Sequence, residues 1–244
     1  MMKFLGLLKS LIIYYGIPGR FSAMKKHYSQ FITKGCLCFD IGSHVGNRTK
    51  VFSSLGAKVI SIDPQEDCVR ILRFLYGKTR NITIIQSAVG DTNEKKLFYE
   101  CESSPTLSTV SKDWIEQMSQ KTMFHGITWK EKYSVEQVTL DHLINEFGVP
   151  RFCKIDVEGG EPDVLKGLST PLQAVSFEFL PTAKDRAIAC IEYLSSLAEY
   201  EYNLSLVETM KYLWQDFVSE DTLKRYILDL DENGPSGDIY ARKK

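Results

Sequence analysis

From residue 36 onward, short apolar runs alternate with segments whose apolar residues recur at helical spacing. Cys36–Ile41 reads as a strand, Asn47–Leu55 as a helix closed by Gly56, and Lys58–Asp63 as a second strand. A helix over 66–76 ends at Gly77, and Ile82–Gln86 forms a third strand. Thr139–Phe147 is helical until Gly148 and Pro150 stop it; Phe152–Val157 and Ala174–Phe179 are the next strands. A helix over 183–198, a strand Tyr202–Val207, a polar helix near 219–230 and a last strand Gly237–Arg242 complete the chain, the final two strands pairing antiparallel. Such alternation predicts an α/β fold, a mostly parallel sheet with helices on both faces.

The alternation lapses over about 91–138. There a β-like piece (Lys95–Cys101), a Ser/Thr/Pro stretch (Ser103–Ser111) and a helical piece around Trp114 read as an insertion. Long insertions of this kind in compact domains usually form lids or binding loops. Trp114, Trp129 and Tyr133 are expected to pack the core of that lid or to stack on a sugar or lipid. The division expected is an N-terminal helical extension, 1–35, followed by one domain over 36–244.

At 244 residues the length suits one α/β domain with decorations. A formal net charge of -1 argues against a broad nucleic-acid footprint. Six cysteines without a CxxC pair read as reduced thiols in a cytoplasmic protein, and no metal site is expected. The apolar stretch Met1–Ile17 is interrupted by Lys9 and too short to span a bilayer. It reads as an amphipathic helix with Phe4, Leu7, Leu8, Leu11 and Ile12 on one face. That face docks on the domain or on a second subunit in a homodimer; attachment to a membrane surface, helped by Lys25 and Lys26, is the less favoured alternative.

The turn after the first strand carries the sharpest chemistry. Asp40 enters it and Gly42, Ser43, His44 and Gly46 shape it before a helix begins. A strand, a glycine turn and a helix form a cradle for a small cofactor. A dinucleotide fingerprint wants a second glycine where His44 stands, so that backbone can approach a pyrophosphate. An acid such as Asp40 would repel a pyrophosphate but favours a cationic sulfonium, which points to S-adenosyl-L-methionine rather than NAD. Asp63, ~20 residues on at the end of the second strand, is placed for ribose hydroxyls. Gln86, Ser87 and Ala88 at the end of the third strand are candidate adenine contacts.

Lys154-Ile155-Asp156-Val157-Glu158-Gly159-Gly160-Glu161-Pro162 is the second signal. Strand alternation puts Lys154, Asp156 and Glu158 on one side, where three charges are costly unless they pair or serve a ligand. Glu161 reads equally well as a helix-start residue. Glu178 is a further acid expected to face the same crevice.

Phe39-Asp40-Ile41-Gly42-Ser43-His44-Val45-Gly46, Asp63-Pro64, Ala88-Val89-Gly90-Asp91, Thr139-Leu140-Asp141 and Lys154 to Glu161, in this order, resemble the FkbM-type family of S-adenosylmethionine-dependent methyltransferases. The resemblance covers about residues 36–180. It implies a class I methyltransferase (Rossmann-like) fold with a seven-stranded sheet whose last strand is antiparallel. It also implies O-methyl transfer to a hydroxyl of a sugar, glycan or natural-product acceptor. By position, Asp40, Gly42 and Gly46 would hold the methionine part, Asp63 the ribose, and Asp156 would lie near the methyl. Glu158 and Asp156 are the first candidates for a base and His44 the next, His44 standing where such turns often carry Asn or another small polar residue. Two rivals are an NAD-dependent oxidoreductase and a methyltransferase-like binding module without catalysis.

Overall fold

A computed structural model describes residues 15–207 and 209–244. Its main sheet contains β1 (Leu37–Ile41), β2 (Lys58–Ile62), β3 (Ile82–Ile85), β7 (Phe152–Ile155), β8 (Ala174–Phe179), β9 (Tyr200–Leu206) and β10 (Gly237–Lys243). The spatial order is β3-β2-β1-β7-β8-β10-β9. β10 runs antiparallel to both neighbours, and the other pairings are parallel. Chain order reverses between β1 and β7, so the crevice outside their carboxyl ends is where ligands bind in such sheets.

Alternate residues of the strands face two separate cores. Phe39, Ile41, Ile155, Val175 and Phe177 pack with Leu143, Ile191 and Leu223 on one face. These three come from α5 (Leu140–Phe147), α6 (Lys184–Leu197) and α7 (Glu220–Asp229). On the other face Cys38, Val59 and Phe152 pack with α1 (Arg20–Tyr28) and α2 (Asn47–Ser54). Met24, Tyr28, Phe31 and Ile32 are buried in that second core, so residues 24–32 are part of the packed fold. The apolar positions expected on an N-terminal helix face, Phe4 to Ile12, lie outside the described residues. Among the described residues no helix is long and apolar enough to cross a membrane.

Two strands end sooner than their apolar runs suggest. β2 stops at Ile62, freeing Asp63 for hydrogen bonds at the sheet edge, and β7 stops at Ile155. Alternation therefore does not carry through to Glu158, which sits in a turn at φ 54. Helix starts are set locally: the Thr139 hydroxyl accepts the His142 N–H at 3.0 Å to begin α5.

The irregular stretch after β3 builds a small second sheet of β4 (Ala88–Val89), β5 (Glu94–Glu100) and β6 (Lys130–Val138), in the order β4-β6-β5. Between β5 and β6 lies α4 (Lys112–Met118), which carries the fully buried Trp114. Trp114 packs edge-on against Phe124 and Trp129. A Cβ on Gly159 would approach the Trp114 Cδ1 to 2.0 Å. Tyr133 packs on Phe98. None of the three aromatics lines the main cleft, so they serve core packing rather than ligand stacking. All six cysteines are free thiols, five of them buried.

Candidate active site

The carboxyl ends of the strands open into a cleft of about 570 Å³. At its β1–β2 end, Asp40 is buried and its Oδ2 accepts the Thr49 hydroxyl at 2.5 Å. Burial pushes the Asp40 carboxyl up, while Thr49, Arg48 and Lys154 oppose that. Asp63 is buried too, and its two oxygens accept the backbone N–H groups of His44 and Gln65, each at 2.8 Å. Burial outweighs those donors and pushes Asp63 up to about 7.

The turn between the two acids is built by its own residues. Gly42 takes φ +74, and Ser43 donates its backbone N–H to the Ile62 carbonyl at 3.0 Å. His44 lines the cleft at φ 48, and burial lowers its imidazole to about 4, so the ring is neutral near pH 7. Gly46 does not line the cleft. It lets the turn approach α3 (Glu66–Tyr76): a Cβ there would meet Leu72 at 2.6 Å and Tyr76 at 2.8 Å. The expected cofactor contact at Gly46 is thus not among the residues that line the cleft, and the close approach there is to α3. Gln86 is exposed and also stands outside the cleft, whereas Ser87 and Ala88 line it. The break after Ile85 turns the chain toward β4 and carries the contact one residue on.

The β7–β10 end is crowded with charge. Asp156, Glu158 and Glu178 each bring a carboxylate oxygen within 4.8 Å of the others. Burial first, then the charges of Glu178 and Asp156, push Glu158 well above the carboxylate range. Glu178 is pushed up likewise by burial, then by Asp156 and Glu161. Lys154 is fully buried, with Nζ 3.3 Å from Asp156 and 2.9 Å from Asp238. Arg48, from the first turn of α2, reaches the same two acids at 3.8 and 3.5 Å. Glu161 lies away from the cleft; its carboxylate accepts the Val157 N–H at 3.0 Å and is pushed up to about 7 by burial.

Sequence reasoning missed Arg48, Thr49 and Asp238. A cation in the first turn of a helix opposes the helix dipole, and Arg48 carried that signal. Asp238 carried none, because its partners lie far away in the chain. The connection between β5 and β6 contributes a wall: Thr106, Ser108, Thr109 and Val110 line the cleft, and Gln65 donates to the Pro105 carbonyl at 3.2 Å.

The arrangement fits a cationic adenosine cofactor. Acids stand at both ends of the cleft, the Asp63 carboxylate has lone pairs for hydroxyl donors, and the turn between Gly42 and His44 presents backbone at the strand ends. The volume is that of a small-molecule site.

A family model described as the Methyltransferase FkbM domain matches residues 40–204. No curated protein matches the chain in sequence. Among solved structures, the precorrin-6y C5,15-methyltransferase of Geobacter metallireducens GS-15 is similar at a TM-score of 0.50 and 11% identity, over 92% of this chain and 86% of that one. The SMU.1697c protein of Streptococcus mutans, in complex with SAH, matches at 0.45 and 13% identity, over 93% and 99%. An rRNA methylase from Streptococcus thermophilus matches at 0.43 and 14%, over 90% and 93%. At these identities the first of the three speaks for the fold, a class I methyltransferase sheet, and the other two add nothing to it.

Proposed function

The chain belongs to the FkbM methyltransferase family, whose methyl donor is S-adenosyl-L-methionine, and from that membership we propose an O-methyltransferase acting on a hydroxyl of a sugar, glycan or natural product. The observation that carries this reading is Glu158: a half-buried carboxyl with a raised proton affinity, beside Asp156 in the cleft that also holds Asp40 and Asp63.

Bound S-adenosyl-L-methionine supplies a methyl group already activated by a positive sulfur. Asp63 holds ribose hydroxyls, Ser87 and Ala88 border the adenine, and Asp40 with the Gly42–His44 turn holds the methionine part. Asp156 adds negative charge where a cation is to be stabilised. Alignment of hydroxyl, methyl and sulfur can supply ~7–11 kcal/mol in well-oriented systems. The acceptor hydroxyl must also lose its proton as it attacks. Glu158, once ionised, accepts that proton better than an ordinary carboxylate. His44, with its proton affinity lowered by burial, is the weaker base and is assigned to shaping the turn.

Ser236 and Asp238 at the β7–β10 end, with Asn47 and Arg48 reaching in from α2, line the cleft with polar groups suited to an acceptor rich in hydroxyls. Its acids oppose a phosphate backbone, which supports a small-molecule or glycan acceptor over nucleic acid. Six free thiols support a reducing, cytoplasmic setting. The test is incubation with methyl-labelled S-adenosyl-L-methionine and fractionated glycans, lipids and metabolites. A labelled product whose methyl sits on oxygen supports the reading. Label on a nitrogen or on RNA would overturn the acceptor class, and no labelled product from any fraction would favour a binding module without catalysis.

A further inference from the structure

Asp238 lies beyond the residues that the family model matches, at the start of the antiparallel strand β10, yet it lines the cleft. It is nearly inaccessible, at 8% side-chain exposure, and stands in register opposite Glu178 on β8. Like charges directly opposite on paired strands repel, so a buried acid here needs a reason. Its reason is two cations: Lys154 Nζ at 2.9 Å and Arg48 at 3.5 Å. Each cation also reaches Asp156, but from farther away, at 3.3 and 3.8 Å. Asp156, at 24% side-chain exposure, is the more open of the two acids.

We propose that Asp238 is a positioning residue that balances Lys154 and Arg48, so that Asp156 keeps its negative charge for the cofactor's sulfonium. The proposal rests on the cofactor reading above. With two cations and two acids the group is neutral in formal charge. Without Asp238 this ion-pair group loses one negative charge while keeping both cations, so the local charge shifts toward positive, which opposes the cationic sulfur of S-adenosyl-L-methionine. The product, S-adenosyl-L-homocysteine, has a neutral sulfur and is insensitive to that change. Asp238 therefore sets how strongly the site prefers the charged donor over the spent one.

The test is calorimetric titration of the full chain with each of the two ligands at low salt. In D238N, affinity for S-adenosyl-L-methionine is expected to fall on the order of tenfold, and affinity for S-adenosyl-L-homocysteine to stay within about twofold. R48Q removes a cation instead, so the preference should shift the other way, toward S-adenosyl-L-methionine. D238E should restore the wild-type ratio. A lesion that merely loosens the fold weakens both ligands together and cannot produce shifts of opposite sign. Equal losses for the two ligands in D238N, or an unchanged ratio, overturn the proposal. If D238N does not fold, an unchanged ratio in R48Q overturns it alone. Wild-type protein that binds neither ligand overturns the cofactor reading itself, and this proposal with it.

Discussion

At the β1–β2 end of the cleft, the acids are answered from within one βαβ unit. Asp40 takes the Thr49 hydroxyl, and Asp63 takes the backbone N–H groups of His44 and Gln65. At the β7–β10 end, Asp156 and Asp238 are answered by Lys154 and by Arg48 from the opposite flank of the crevice, while Glu158 and Glu178 have each other's charge to contend with. Neutral donors leave an acid's charge to the ligand, whereas ion pairs and crowded carboxylates make the charge of the whole group adjustable. The first arrangement suits holding a fixed cofactor. The second suits chemistry in which a proton moves.

The largest expected effect breaks the second end. Glu158→Gln removes a proton acceptor while keeping shape, and turnover should fall on the order of a hundred- to ten-thousandfold. Affinity for S-adenosyl-L-homocysteine should stay within a few-fold. Labelled-methyl transfer rates together with calorimetry check both; normal turnover removes Glu158 as the base. Next comes the first end, where Asp40→Ala should lower affinity for the same ligand on the order of a hundredfold, as for loss of a charged hydrogen-bond acceptor. Undiminished affinity would show that this end does not cradle the cofactor.

The same contrast explains what was legible beforehand. Asp40, Gly42 and Asp63 sit on a strand–turn–helix–strand whose partners lie within about twenty residues, so local pattern reveals them. The run from Lys154 to Glu161 was legible as charge out of place on a buried strand, yet its solution was not. Asp238 meets Lys154 only because β10 inserts between β8 and β9, a pairing no local signal encodes. Gly46 and Gln86 stand outside the cleft because a turn's residues divide between cleft and packing according to where the neighbouring helix lies. The second sheet was hidden for a related reason: β4 is only two residues long, and β6 pairs with it across the insertion.

A third experiment probes the seam between the ends. Gly42 lies so near the Asp156 backbone that a Cβ would come within 1.8 Å of its carbonyl oxygen. Gly42→Ala adds that clash to left-handed strain and should lower stability by about 2–3 kcal/mol. Gly35, also left-handed but with nothing within 4 Å, is the control: Gly35→Ala should cost about 1 kcal/mol. Urea unfolding of both variants measures the difference, and equal losses would mean that the ends are not in rigid contact there.

The smallest effect separates the ends by pH. Asp63 loses its proton near 3.8 when unfolded but near 7 in the folded protein, so the fold favours its neutral form between those values. Its contribution to apo stability is therefore full below about 3.8 and declines as pH rises toward 7. A ribose hydroxyl donating to this carboxyl favours the ionised form instead. Affinity for S-adenosyl-L-homocysteine should thus rise about tenfold between roughly pH 6 and 8 and level off above. His44, lowered to about 4, does not titrate in that window. Glu161 does, near 7, but it stands outside the cleft and its proton bears on stability rather than on binding. Asp63→Asn should therefore reduce the slope of the binding profile in that window, leaving what the raised cleft carboxyls Asp40, Glu158 and Glu178 contribute, and leaving the pH dependence of unfolding that Glu161 brings. A profile that keeps its slope in Asp63→Asn would move the ribose contact elsewhere, and the charge that answers the cofactor would have to be sought among the acids of the β7–β10 end.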